Sequence, residues 1–234
     1  MSVYEHQSQS FAWRAADFTA SADYSVALTG SDRSQLLEAI RRWDVQGRAR
    51  LVHELDRSAY ALDAALTAKL AAAGQVRSGR GFFVLRGLPV DGLDVEQYAM
   101  VVWGLGLHFG FALSQNAQGE LITRVVDATA EDPTPRMYRS NMELRPHTDI
   151  TAMIALGSWN RSQSGGATVL ASGVTVHDEI RSRAPELLMP LYRDRRRPRR
   201  AGPAAGRRRY RRHGSVRCHL HRAGKPVGVL PGTR

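Results

Sequence analysis

His147, Thr148 and Asp149 stand directly ahead of an apolar run, ITAMIALGSW. In an extended chain residues two apart project to the same side, so one imidazole and one carboxylate can converge on a single cation. Two ligands thus come from three residues. A second histidine from elsewhere would complete the facial triad of a non-haem iron(II) oxygenase and leave positions open for a bidentate co-substrate and dioxygen. Zinc and manganese accept the same donors, so the pair does not by itself name the metal. Without context, an HxD triplet is more often a surface histidine beside a solvated carboxylate.

Other residues of reactive type read more plainly. His108 ends an apolar helical stretch and is expected to be packed or partly exposed. His177, Asp178 and Glu179 are expected to begin a helix, where acidic groups favour the positive end of the dipole. Asn160-Arg161-Ser162 matches a glycosylation acceptor, which is idle without secretion. Gly165-Gly166 is too short for a phosphate loop and suits a tight turn. Cys218, His219 and His221, with His213 nearby, group like metal ligands. They lie among arginines that repel a dication, and ordering the segment would cost entropy.

The elements that must position the HxD pair follow from periodicity. SDRSQLLEAIRRW sets Leu36, Leu37, Ile40 and Trp43 at helical spacing. LDRSAYALDAALTAKLAAAGQ repeats Leu62, Leu66 and Leu70 every fourth residue in an alanine-rich background, and this second helix should end between Gly74 and Gly79. DVEQYAMVVWGLGLHFG predicts a third helix, capped by Asp94 and burying Tyr98, Val101, Val102 and Leu105. Strands are expected in GFFVLRGLP and ELITRVVDA, with AWRAADF and YSVAL as short strands or an edge segment. From Glu143 to Tyr192 the pattern reads strand, loop, strand, then two short helices divided at Pro185.

The chain has 234 residues, enough for one domain with a sizeable core, and a net charge of +11. That charge is local. Residues 193–234 hold fifteen of the 33 Lys+Arg and only one acidic residue, Asp194, so the tail carries +14 and the remainder −3. The tail, rich in Arg, Pro and Gly, is expected to be disordered. One cysteine excludes an internal disulfide framework. No apolar run suits a membrane span and the first residues do not read as a secretory signal, so a cytoplasmic protein is expected.

Six motifs in order carry a resemblance: GFFVLRGLP, WGLGLHFG, SQNAQGEL, YRSNMELRPHTD, SGGATVLAS and VHDEIRSRAPELL. From Gly81 to about Tyr192 the chain resembles the TauD/TfdA family of iron(II)- and 2-oxoglutarate-dependent dioxygenases. The resemblance implies an α+β fold with a double-stranded β-helix (jelly-roll) core and N-terminal helices. It implies that His147 and Asp149 are iron ligands and that the Thr168 hydroxyl contacts a carboxylate of 2-oxoglutarate. Asn141, Asn116 and Tyr138 fall where substrate-facing residues are found. The implied cofactor is Fe(II), with 2-oxoglutarate and dioxygen as co-substrates and a small organic acid or amino-acid-like molecule as substrate.

Two family features have no counterpart: a distal histidine in an HGR-like context, and the arginine that pairs with the far carboxylate of 2-oxoglutarate. The motif series stops at Tyr192, where the composition changes. Residues 1–192 are therefore expected to form an incomplete dioxygenase domain lacking the C-terminal half of its core, and residues 193–234 to be the product of a displaced reading frame. Such a copy is expected to be inactive or nearly so and, with unpaired strand edges, poorly soluble. Two rivals stand beside this. The basic tail could bind nucleic acid through phosphates, although Tyr210 is its one aromatic residue. Alternatively, a β-helix protein could bind ligands without redox chemistry.

Overall fold

The computed structural model describes residues 11–45, 57–73, 79–116, 119–130, 139–140, 143–149, 151–160, 167–192, 215–221 and 227–229. Helix α1 (Gly30–Val45) starts where Thr29 and Asp32 bond reciprocally. The Asp32 carboxylate accepts from the Thr29 N–H at 2.8 Å, and the Thr29 hydroxyl accepts from the Asp32 N–H at 3.2 Å. Asp32 is buried and ion-paired with Lys69, and this partner holds its carboxyl below the usual range. Helix α2 (Ala64–Ala73) begins later than its alanine-rich run suggests. The reason is Asp63, which caps it by accepting from the Leu66 N–H at 2.7 Å while Gln35 of α1 clamps the same residue.

Helix α3 (Val95–Leu107) opens with a capping box in which Asp94 and Gln97 exchange side-chain to backbone bonds of 2.8 and 3.0 Å. Its buried side chains include Tyr98, Val101, Val102 and Leu105, as the periodicity predicts. Gly104 lies flush against the Tyr60 ring; a Cβ there would come within 2.3 Å of it. The core joins Leu36, Ile40 and Trp43 of α1, Leu66 and Leu70 of α2, Tyr60, and Met100 and Val101 of α3.

Strand β1 (Ser25–Ala27) pairs in parallel with β2 (Val84–Arg86). AWRAADF does not form the expected strand. Ala15–Asp17 is a 3-10 turn, because the Asp17 carboxylate accepts from the Arg14 N–H at 2.7 Å and rewards a local bend. This N-terminal segment straps onto helix α4 (Gly173–Arg183). The Thr175 hydroxyl donates to the Trp13 carbonyl at 2.9 Å, Ser172 donates to the Phe11 carbonyl, and Arg14 pairs with Glu179.

The α4 cap is Ser172, whose hydroxyl accepts from the Thr175 N–H at 3.0 Å. His177, Asp178 and Glu179 accordingly sit mid-helix and do not begin it. A small side chain three residues ahead of a free N–H was the better start signal. Helix α4 ends at Ala184, a 3-10 turn spans Pro185–Leu187, and α5 covers Leu188–Tyr192.

The remaining strands are β3 (Phe111–Ala112), β4 (Ile122–Val125), β5 (Met153–Ser158), β6 (Thr168–Leu170), β7 (Ser215–His221) and β8 (Val227–Val229). Strand β7 pairs in parallel with β3, β4 and β5, placing Cys218 opposite both Ile122 and Ala155. Strand β8 pairs with β6, Val227 opposite Thr168. The expectation of a structureless tail is thus corrected for these two segments; SVRCHLH contains neither Pro nor Gly and can join a ladder. The rest of 193–234 lies outside the described residues.

Helices and strands together make a mixed α+β arrangement. A jelly roll is built from antiparallel strands, whereas each pairing among the described residues is parallel. These strands do not draw the expected double-stranded β-helix. Among the described residues no helix is long and apolar enough to cross a membrane.

Candidate metal centre

Strand β5 alternates, with Met153, Ala155 and Gly157 turned inward and Ile154, Leu156 and Ser158 outward. Met153, Ala155 and Trp159 pack against Tyr98, Ala99 and Val102 of α3. The Tyr98 hydroxyl donates to the Ser158 carbonyl at 2.9 Å, and the Trp159 ring meets Tyr98 edge-on at 5.1 Å. Burial pushes the Tyr98 phenol up to about 12, so it remains a neutral donor at physiological pH. The helical layer in this way fixes the strand that follows the HxD pair.

His147 and Asp149 lie on the exposed loop ahead of β5, outside any strand. His147 Nδ1 is 2.7 Å from the carbonyl oxygen of Arg145. A carbonyl only accepts, so Nδ1 carries the proton and a neutral ring keeps its lone pair on Nε2. Histidines that bind metals are oriented in this manner, the second ring nitrogen donating to a carbonyl or carboxylate. An imidazole nitrogen and a carboxylate are donor types that suit iron(II). Among the described residues no three His, Cys, Asp or Glu side chains gather around one cation position.

The other expected site residues are placed as follows. Thr168 opens β6 and is half-buried, in a two-stranded sheet with β8 separate from the sheet that contains β5. Asn116 closes the loop between β3 and β4. Its amide nitrogen donates to the Glu120 carboxylate, its amide oxygen accepts from the Glu120 N–H at 3.2 Å, and its carbonyl accepts from the Ser114 hydroxyl at 2.8 Å. Asn141 and Tyr138 lie outside the described residues, as do His213, Ser162, Gly165 and Gly166.

His108 is half-buried at the end of α3, as expected, with Nε2 3.2 Å from the Tyr60 carbonyl. Burial lowers its pKa below 6.5. His177 braces α5 on α4. Its Nδ1 faces the Asp178 carboxylate at 3.3 Å, and its Nε2 accepts from the Tyr192 hydroxyl at 2.7 Å. Cys218, His219 and His221 belong to β7.

Residue types alone did not reveal the Arg145 carbonyl, because a backbone acceptor leaves no trace in composition. The one available signal is Pro146, which fixes the backbone between that carbonyl and His147.

The chain matches the family described as "Taurine catabolism dioxygenase TauD, TfdA family" over residues 47–228, and it belongs to that family. It is also 31% identical over 183 residues to FR-33289 synthase of Streptomyces rubellomurinus (strain ATCC 31215), covering 77% of this chain and 53% of that protein. The chain thus spans about half the length of this curated relative. The family match runs past Tyr192, where the motif series stops, and takes in β7. Membership of a family named for small-molecule oxidation lends no support to nucleic-acid binding through the tail.

Proposed function

We propose that this chain is an iron(II)- and 2-oxoglutarate-dependent dioxygenase domain in which His147 and Asp149 hold the metal. The observation that carries the reading is the 2.7 Å bond from His147 Nδ1 to the Arg145 carbonyl, which leaves the lone pair on Nε2, with a carboxylate two residues on in the sequence. Bound iron would supply the oxidative decarboxylation of 2-oxoglutarate to succinate, coupled to hydroxylation of a small organic acid or amino-acid-like substrate. The Thr168 hydroxyl donates to a 2-oxoglutarate carboxylate, while Asn141, Asn116 and Tyr138 meet the substrate. For Asn116 this role requires exchange of the Glu120 contacts that now occupy its amide. The domain would be a jelly roll in its family form.

Among these 234 residues no distal histidine or 2-oxoglutarate-binding arginine stands in the family contexts, so His147 and Asp149 are the two ligands assigned here. A displaced reading frame after Tyr192 would account for the missing histidine and arginine, although a family match running to residue 228 weighs against it. The nucleotide sequence across codon 192 decides the point. The metal assignment is tested by anaerobic titration calorimetry with Fe2+. The expected result is one bound ion, with affinity reduced at least about 100-fold in His147→Ala. An unchanged titration in His147→Ala would remove the assignment.

A further inference from the structure

We infer that the Arg145-Pro146 segment is a positioning device that selects the metal-binding tautomer of His147, a role that rests on the metal assignment above. His147 and its neighbours from Glu143 to Asp149 are exposed, so burial does not fix the ring. Among the described residues the bond from Nδ1 to the Arg145 carbonyl orients it, and at 2.7 Å it is short for a nitrogen donor. Donor and acceptor are two residues apart, with Pro146 between them. The pyrrolidine ring fixes φ at position 146, and its Cδ restricts Arg145 to extended conformations. Both restraints act on the orientation of the Arg145 carbonyl, and neither depends on a side-chain contact. A free neutral imidazole favours the opposite tautomer, with the proton on Nε2, which would block the nitrogen left for the metal. The segment thus prepares the ligand before any ion arrives, which lowers the ordering cost of binding.

Two variants of the full 234-residue chain test this. Two-bond proton–nitrogen correlation spectra of the histidine side chains, with His147 assigned by its absence in His147→Ala, report the tautomer without any metal. The expected spectrum shows Nδ1 protonated and Nε2 bare. In Pro146→Gly the signals should move toward the averaged pattern of a free imidazole, and Fe2+ affinity should fall about 10-fold. Pro146→Ala, which keeps a side chain and a narrower backbone range than glycine, should recover part of both. Nε2-protonated His147 in the unmodified chain overturns the inference even if Fe2+ binds. A Pro146→Gly chain with unchanged tautomer and unchanged affinity overturns it too. The expected tautomer with no Fe2+ binding overturns the metal assignment and the role built on it, while leaving the hydrogen bond in place.

Discussion

In the helical layer Leu36, Leu66, Leu70, Met100 and Val101 have lost essentially all contact with solvent, whereas Phe111 on β3, Leu156 on β5 and Leu191 on α5 keep 71, 52 and 66% of theirs. The first region is closed by three capping interactions and the ion pair of buried Asp32 with half-buried Lys69; neither α4 nor α5 buries a single residue. The stable core and the proposed metal ligands are therefore sited apart. The HxD pair rides on an exposed loop, and its link to the rigid part runs through β5, by way of the Tyr98 hydroxyl and the Ser158 carbonyl. Reactive groups on a loop held by a packed scaffold are a general arrangement, since a loop can admit a ligand where a core cannot.

The sharpest way to break this contrast is to empty the helical core. Leu66 is fully buried among α1, Tyr60 and α3. Leu66→Ala should cost about 3 kcal/mol through lost burial and the cavity left behind. Urea denaturation followed by circular dichroism measures it. A loss under about 1 kcal/mol would mean that the helical layer does not carry the fold.

How much of this was legible beforehand depends on the kind of signal. Leu36, Ile40 and Trp43, or Leu66 and Leu70, announce a helix face because a 3.6-residue period is written in residue types. Asp94 announces its cap for the same reason: a short acceptor stands ahead of an apolar run. His147 and Asp149 were visible as types at a spacing, but their support was not. The Arg145 carbonyl is backbone, and the Tyr98 to Ser158 bond joins positions sixty residues apart. AWRAADF misled because Asp17 bonds a neighbouring N–H, a local reward that outweighs strand propensity in so short a segment. The segment that forms β7 was hidden by its surroundings. Arginine-rich composition on either side reads as unfolded, while SVRCHLH itself has the makings of a strand.

A second test sharpens the comparison at the boundary between the regions, where α3 hands over to β3. His108 is held neutral there by burial, and Arg57 acts in the same direction. The unfolded chain takes up a proton near pH 6.5 and the folded protein resists it. The stability contributed is therefore whole above pH 6.5 and is lost as pH falls through the lowered folded value. Urea midpoints collected between about pH 5 and 8 should fall on the acid side, and His108→Gln should flatten that limb. Asp32 does not confuse the reading. Its carboxyl is depressed below 3.8, chiefly by Lys69, so the stability it adds is lost only under more acid conditions. An acid limb identical in His108→Gln would show that the boundary is not governed by this ring.

The smallest effect on folding is expected in the exposed region. Leu187, Met189, Leu191 and Tyr192 form an apolar stretch along the 3-10 turn and α5, and each keeps about half or more of its surface in water. Since folding removes little of this surface, Met189→Ser with Leu191→Ser should shift the unfolding free energy by less than about 0.5 kcal/mol. The exposed faces of Leu187, Met189 and Leu191 can meet another molecule, and contiguous apolar area of this kind promotes association. The double variant should consequently stay monodisperse at concentrations where the unmodified chain self-associates, as light scattering would show. A loss of more than about 1 kcal/mol would instead place α5 within the cooperative core, and the division between a folded helical layer and a loosely held remainder would have to be redrawn.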